Sequence, residues 1–393
     1  MNILFLAPEP FFQERGTPIA AKLALQVLSK RKDTKIKVIC YNEGKEESFE
    51  DVEIRRISRL PFTDGVRPGA SLKKLALDVI LFFTTINEII KNKKNTYDLI
   101  HAIEESVFIA LFAKKIFGIN YIYDMDSSLS DQLINRYKFL KIFKGLFRYL
   151  ERLAIKNAVA VLPMCDALAT QALDCGVEIV KVLRDIALND LDDYKEEASD
   201  LRKELNLPKD TKIVLYVGNL EHYQGIDLLI KSFALIKKGF DNLKLIIIGG
   251  TKEHIEKYKK LASNFHVSDS VYLIGPRPVK ALGNYLSQGD ILASPRIEGE
   301  NTSMKIYSYL LAGKPIVATN LPTHTQILTD SISFLCEPTV KDFAQGIKDL
   351  LENPDFSDII ANNAKNEAKE KYTFEVFTKT LNDLYDKVED KIK

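Results

Sequence analysis

Apolar positions in this chain fall into two rhythms. Short strand-like runs rich in apolar residues lie at Ile3–Ala7 and near 35–41, 52–58, 98–102, 120–124, 158–163 and 179–183. Between them lie longer stretches of helical period, the first running from about Ile19 to Lys30. Strands that are apolar on both sides and alternate with helices predict a parallel sheet covered on both faces. An acidic, polar stretch at 185–200 interrupts the alternation, and the rhythm then restarts at 212–218, 243–249, 270–275, 290–294 and 316–319. The expectation is an α/β chain of two doubly wound, Rossmann-like domains, residues 1–185 and 186–373.

At 393 residues each half can bury its own core. The 55 basic and 54 acidic residues leave a net charge of +1, so no global field draws the chain to nucleic acid, which is excluded as a partner. Cys40, Cys165, Cys175 and Cys336 lack CxxC or zinc-ligand spacing and read as free thiols of a reducing compartment. Met1 runs straight into AsnIleLeuPheLeuAla without a basic leader, so a cytoplasmic location is expected. No HExxH, GxSxG, P-loop or GxGxxG appears, nor an acidic cluster resembling a metal site.

In a doubly wound sheet, functional residues gather at the carboxyl ends of the strands. His101, with Glu104 and Glu105, ends one strand, and Asp124 and Asp126 end the next. Asp126 reads either as a carboxylate that orients a hydroxyl or as the cap of a helix over 128–135. The loop after the first strand holds Arg15, Gly16 and Thr17; Gly16 would let backbone approach a ligand, and Arg15 would bind a phosphate or simply be solvated. Residues 136–156 repeat basic side chains at helical spacing, with Phe139, Phe143, Leu146 and Phe147 among the apolar residues between them. Such a helix either lies on an anionic membrane surface, which would make the protein peripheral at the inner face, or buries its apolar side in the core.

Residues 294–328 carry the most chemistry. Glu298 and Glu300 precede a helix that Thr302 or Ser303 can cap, Gly313 stops and Pro315 bars from continuing, before the buried strand IleValAlaThr (316–319). A loop feeding a helix N-terminus suits an anionic ligand.

GlyGlu at 299–300 and SerMetLysIleTyrSerTyrLeuLeuAlaGlyLysProIleValAlaThr at 303–319 resemble the donor-site signature of the retaining group 1 (family 4) glycosyltransferases of the GT-B fold. That signature has two glutamates with seven residues between them. Glu300 matches the first, which the resemblance places near the donor sugar; Ser308 stands at the second, which holds the ribose hydroxyls. GlyAsnLeuGluHisTyrGlnGly (218–225) resembles the second donor motif, where an arginine and a lysine bind the diphosphate. Those two positions are Asn219 and Gln224, both uncharged, so Lys305 and Arg296 become the candidates for compensating charge.

The resemblance implies a donor site of Gly16, Gly218, Asn219, Gln224, Arg296, Asn301, Thr302, Ser303, Lys305 and Ser308, catalytic Glu300 and Asp126, and Arg15 and His101 toward acceptor or phosphate. It also implies GT-B domains facing an interdomain cleft, with a last helix over about 374–393 packing back on the first domain. The implied reaction moves a sugar from a nucleotide-diphosphate-sugar to a glycan or lipid-linked acceptor, with retention, without cofactor or metal, and with the donor phosphate as same-face base. The alternative is a catalytically degenerate GT-B protein acting as a binding or membrane-surface partner.

Overall fold

The computed structural model describes residues 1–11, 16–44, 46–59, 65, 71–92, 96–191, 199–299 and 301–393, with the side chains of Asn135 and Lys138 excepted. The chain divides into two compact units, Met1–Arg184 with Phe377–Lys393, and Asp185–Val376.

In the first unit β1 (Asn2–Ala7) leads into α1 (Gly16–Leu28), β2 (Lys35–Cys40) and β3 (Val52–Arg56). The chain then crosses through α2 (Leu72–Lys91) to β4 (Leu99–Ile103), and continues through α3 (Val107–Phe117) to β5 (Asn120–Met125). Next come α4 (Leu129–Arg136), a 3-10 turn at Lys138–Phe143, α5 (Lys144–Asn157), β6 (Ala160–Pro163) and α6 (Asp166–Asp174). The sheet order is β3-β2-β1-β4-β5-β6 and every described pairing is parallel. Parallel neighbours joined by right-handed crossovers put α2, α3 and α5 on one face of this sheet. They cover Leu4, Leu6, Ile100 and Tyr121 there.

Two expectations change here. The apolar run 179–183 is not a strand; it contributes a single bridge, Val161 to Val180. The basic stretch 136–156 is not one helix but the end of α4, a 3-10 turn and α5.

The second unit opens with α7 (Leu201–Glu204) and β7 (Lys212–Val217), followed by α8 (Ile226–Lys237), β8 (Leu243–Ile248), α9 (Lys252–Asn264) and β9 (Val271–Gly275). After α10 (Leu282–Ser287) come β10 (Ile291–Ser294), α11 (Lys305–Ala312), β11 (Ile316–Thr319), α12 (Pro322–Thr325) and β12 (Phe334–Cys336). Helices α13 (Val340–Glu352) and α14 (Pro354–Lys371) precede α15 (Phe374–Ile392). The order β12-β11-β10-β7-β8-β9 repeats the first sheet's logic, again parallel.

Alternation along these strands feeds two cores. Val214, Tyr216 and Leu245 face one and Ile213, Leu215 and Ile246 the other, which is why the strands read as apolar throughout. The expected linker is packed at its start, where Leu188 is buried and Ala187 N–H donates to Tyr372 O at 3.1 Å.

Candidate functional site

In the second sheet the strand order reverses between the parallel neighbours β7 and β10, and in doubly wound sheets the loops leaving such a pair flank the ligand. They are fastened together at their base. Ile297 N–H donates to Tyr223 O at 2.9 Å, and Gly225, at φ +71°, lies so close to Pro295 that a Cβ would sit 1.9 Å from its carbonyl oxygen. Only glycine serves there.

Above this junction Lys305, at the first turn of α11, reaches back across the end of β7. Its Nζ lies 2.9 Å from Gln224 Oε1 and 4.1 Å from the centre of the Tyr216 ring. The Tyr216 hydroxyl donates to Asn219 O at 2.6 Å and is 3.2 Å from the same Gln224 oxygen. A Cβ on Gly218 would lie 3.6 Å from the lysine nitrogen. Desolvation, and then the nearby Arg296 guanidinium, hold the Lys305 amine well below the ordinary lysine pKa.

Arg296 donates to the carbonyls of Glu298 and Asn301, each at 2.8 Å, and rests over Tyr223. Desolvation lowers its pKa too. Thr302 is buried and its hydroxyl has no hydrogen-bond partner among the described residues. A buried hydroxyl without a partner costs about 1–3 kcal/mol, which a ligand oxygen would relieve. Two desolvated cations, an orphan hydroxyl and the start of a helix together fit a polyanion.

The sequence-predicted residues therefore divide. Gly218, Gln224 and Lys305 come together, as do Arg296 and Asn301. Asn219 is exposed and folds on itself, accepting from Glu221 N–H at 3.2 Å. Neither Thr302 nor Ser303 caps α11; its N-cap is Met304, with no side-chain bond, while Ser303 accepts Ile306 N–H on its carbonyl. Ser308 is fully buried and its Oγ accepts Leu188 N–H at 3.1 Å, so its hydroxyl serves the fold instead of a ribose. His324 is a core histidine. It sits between Ser294 Oγ at 2.8 Å and Thr319 O at 2.9 Å, with its pKa pushed by burial to about 3. Glu300 and Arg15 lie outside the described residues.

In the first unit the carboxyl ends of β4 and β5 are arranged differently from expectation. His101 is not available to an acceptor or phosphate. It is fully buried and stacked on Phe5, with Nδ1 2.9 Å from Tyr385 of α15 and Nε2 3.1 Å from Asp124. Gly16 is no turn glycine; it opens α1 exposed, and a Cβ there would meet nothing within 4 Å. The cap of α4 is Ser128, whose side chain accepts Asp131 N–H, so Asp126 does not have that role.

Beside Asp126 stands a residue whose importance the sequence did not rank. Glu104 takes a left-handed backbone, φ +49°, and is buried with both carboxyl oxygens 3.0 Å from Ser127 Oγ. Burial, then Asp126 and Glu105, raise its pKa well above the carboxylate range. A non-glycine residue at positive φ at a strand end is a signal visible only in the structure.

Residues 197–367 match the family model for glycosyl transferases group 1, which takes in the whole β7–α11 site. Sucrose-phosphate synthase from Thermosynechococcus elongatus superposes with a TM-score of 0.78 at 17% identity, covering 98% of both chains. Anabaena HepE in complex with UDP gives 0.73 at 20% identity, covering 98% of this chain and 100% of that one. Two parallel six-stranded sheets with flanking helices are the GT-B fold. The second unit carries the match to the group 1 glycosyltransferases. An alpha-1,3/1,6-mannosyltransferase of Dictyostelium discoideum is 24% identical over 197 residues, 46% of each chain. Alignments to this and two other curated relatives span only 44–48% of those proteins' own lengths.

Proposed function

We propose that the protein transfers a sugar from a nucleotide-diphosphate-sugar to a glycan or lipid-linked acceptor, with retention and without a metal ion. One observation carries the reading: Lys305 and Arg296 are held in desolvated positions at the reversal point of the second sheet, beside the unpartnered Thr302 hydroxyl. Neither cation pairs with a carboxylate among the described residues, and desolvated cations bind phosphate oxygens more strongly than solvated ones. In this reading Lys305 takes the diphosphate, and Thr302 and the start of α11 take its remaining oxygens. Glu300 stands by the donor sugar, and Asp126, with Glu104, orients the acceptor hydroxyl. The leaving phosphate oxygen accepts the acceptor's proton on the face it departs from. Lys305 and Arg296 stabilise the charge that grows there, the part a metal ion plays elsewhere.

The test is a thermal-shift screen against UDP, GDP, ADP, CDP and dTDP in EDTA, followed by incubation with the sugar nucleotide of whichever binds. A ligand at a hundredfold excess over its dissociation constant adds about 2.7 kcal/mol, a shift of a few degrees. A shift with one of them, and sugar transfer with an unchanged anomeric configuration, is expected. No shift with any of the five would overturn the reading. The sealed Ser308 favours a second reading, a GT-B protein that binds and no longer transfers; it predicts a nucleotide shift without turnover.

A further inference from the structure

Helices α2, α3 and α5 line one face of the first unit's sheet, and their outer sides are apolar where a solvated helix would be polar. On α2, Leu72, Leu75, Val79, Phe83 and Ile90 are exposed at helical spacing; on α3, Phe108, Phe112 and Ile116 are. Phe82 and Phe112 meet edge to face at 5.2 Å, so the two stripes adjoin. Just before α5 the turn at Lys138–Phe143 presents Ile142, 87% exposed, and Phe139, 72% exposed. The apolar side of 139–150 therefore faces outward and does not enter the core.

Charge decides what covers this surface. The carboxylates of these helices are turned inward: Asp78 bonds the Tyr41 hydroxyl, Glu88 pairs with Lys37 and Arg55, and Glu151 takes Ser130 Oγ and Leu129 N–H. Helix α3 has no acid at all. Exposed on the same elements are Lys91, Lys115, Lys141, Lys144, Arg152 and Lys156. An interface between two copies would set these cations face to face. A surface rich in large apolar side chains and cations, with no exposed acid among the described residues of these three helices, complements an anionic bilayer. Among the described residues no helix is long and apolar enough to cross a membrane.

We propose that the α2–α3–α5 face, together with the turn at 138–143, docks on the surface of an anionic membrane, with Ile142, Phe139 and Phe83 entering the headgroup layer. The inference rests on this surface alone and stands or falls independently of glycosyl transfer.

The chain has no tryptophan, so single reporters are clean. Ile142→Trp and Phe83→Trp, with Leu235→Trp on the exposed side of α8 as control, are mixed with vesicles of phosphatidylcholine containing one-third phosphatidylglycerol. The first two emissions should move to shorter wavelength and the control should not. Exchanging Lys141 and Lys144 for glutamine should weaken partitioning about five-fold per cation, as should raising the salt. Circular dichroism establishes that each variant is folded; every substituted site is exposed, so folding is retained. No emission change at either reporter overturns the proposal. An equal response to pure phosphatidylcholine that ignores both lysines also overturns it. Concentration-dependent self-association without lipid, abolished by Ile142→Ser, would assign the face to a second copy instead.

Discussion

Lys305→Met separates a functional lysine from a structural one, because the two roles predict opposite signs. In the free protein the amine is desolvated, lies near Arg296 and has its pKa held down. Replacing it with an apolar chain of similar length removes that electrostatic cost. Gln224 Oε1 keeps a share of the Tyr216 hydroxyl's proton, at 3.2 Å, alongside Asn219 O. Melting temperature should stay level or rise. Nucleotide binding should do the reverse: one charge-assisted hydrogen bond is worth about 1.5–3 kcal/mol, so the dissociation constant should rise about 10- to 150-fold. A diphosphate also raises the lysine's pKa, so binding above the depressed value takes up a proton. Affinity should then fall as pH rises through that value. Titration calorimetry in two buffers of different ionisation enthalpy measures the uptake, which should vanish in Lys305→Met. Equal affinities of wild type and variant, or wild-type binding that is insensitive to both pH and buffer, would refute the argument.

Three further outcomes follow from local geometry. Gly225→Ala puts a Cβ 1.9 Å from Pro295 O at φ +71° and should cost at least about 3 kcal/mol in urea denaturation. Ser308→Ala leaves the buried Leu188 N–H without its partner and should cost about 1–3 kcal/mol while leaving nucleotide affinity unchanged. Burial, and then Glu105, push Asp78 up to about 7 from an ordinary value near 3.8. The folded protein therefore holds this proton where the unfolded chain has lost it. Its contribution is full below about pH 4 and is lost as pH rises through about 7. Asp78→Asn should flatten denaturation midpoints across that window and raise stability at pH 8, by up to about 4 kcal/mol.

Much of the fold was legible because strands buried on both faces are apolar throughout, and few other segments of that length are. The exceptions show the limit of that signal. Residues 179–183 carry the same pattern yet make one bridge, since nothing local says whether a neighbour strand extends that far. Phe334–Cys336 is three residues and leaves no period to read. For 136–156 the period is the same whether the apolar side faces core or solvent; only the packed structure tells the two apart. His101 looked like a site residue because it ends a strand, but the groups that consume its ring nitrogens include Tyr385, 284 positions away. Ser308 was misread for a similar reason: its partner, Leu188, is 120 positions away.

The uncharged residues at 219 and 224 look like decay when each is compared alone with the motif they resemble. The structure couples one of them to Lys305. With Nζ 2.9 Å from Gln224 Oε1, a lysine at 224 would bring two ammonium groups into the same space. Two like charges about 3 Å apart at an effective dielectric of about 20 repel by about 5 kcal/mol. Glutamine removes the repulsion and accepts the hydrogen bond, so the cation is supplied from α11 and not from the loop after β7. Gln224→Lys alone should then lower both stability and nucleotide affinity. Gln224→Lys combined with Lys305→Gln should recover much of both, because it moves the charge without adding one. A double variant no better than the worse single one would show that the two positions are independent, and that the glutamine is a loss rather than a rearrangement.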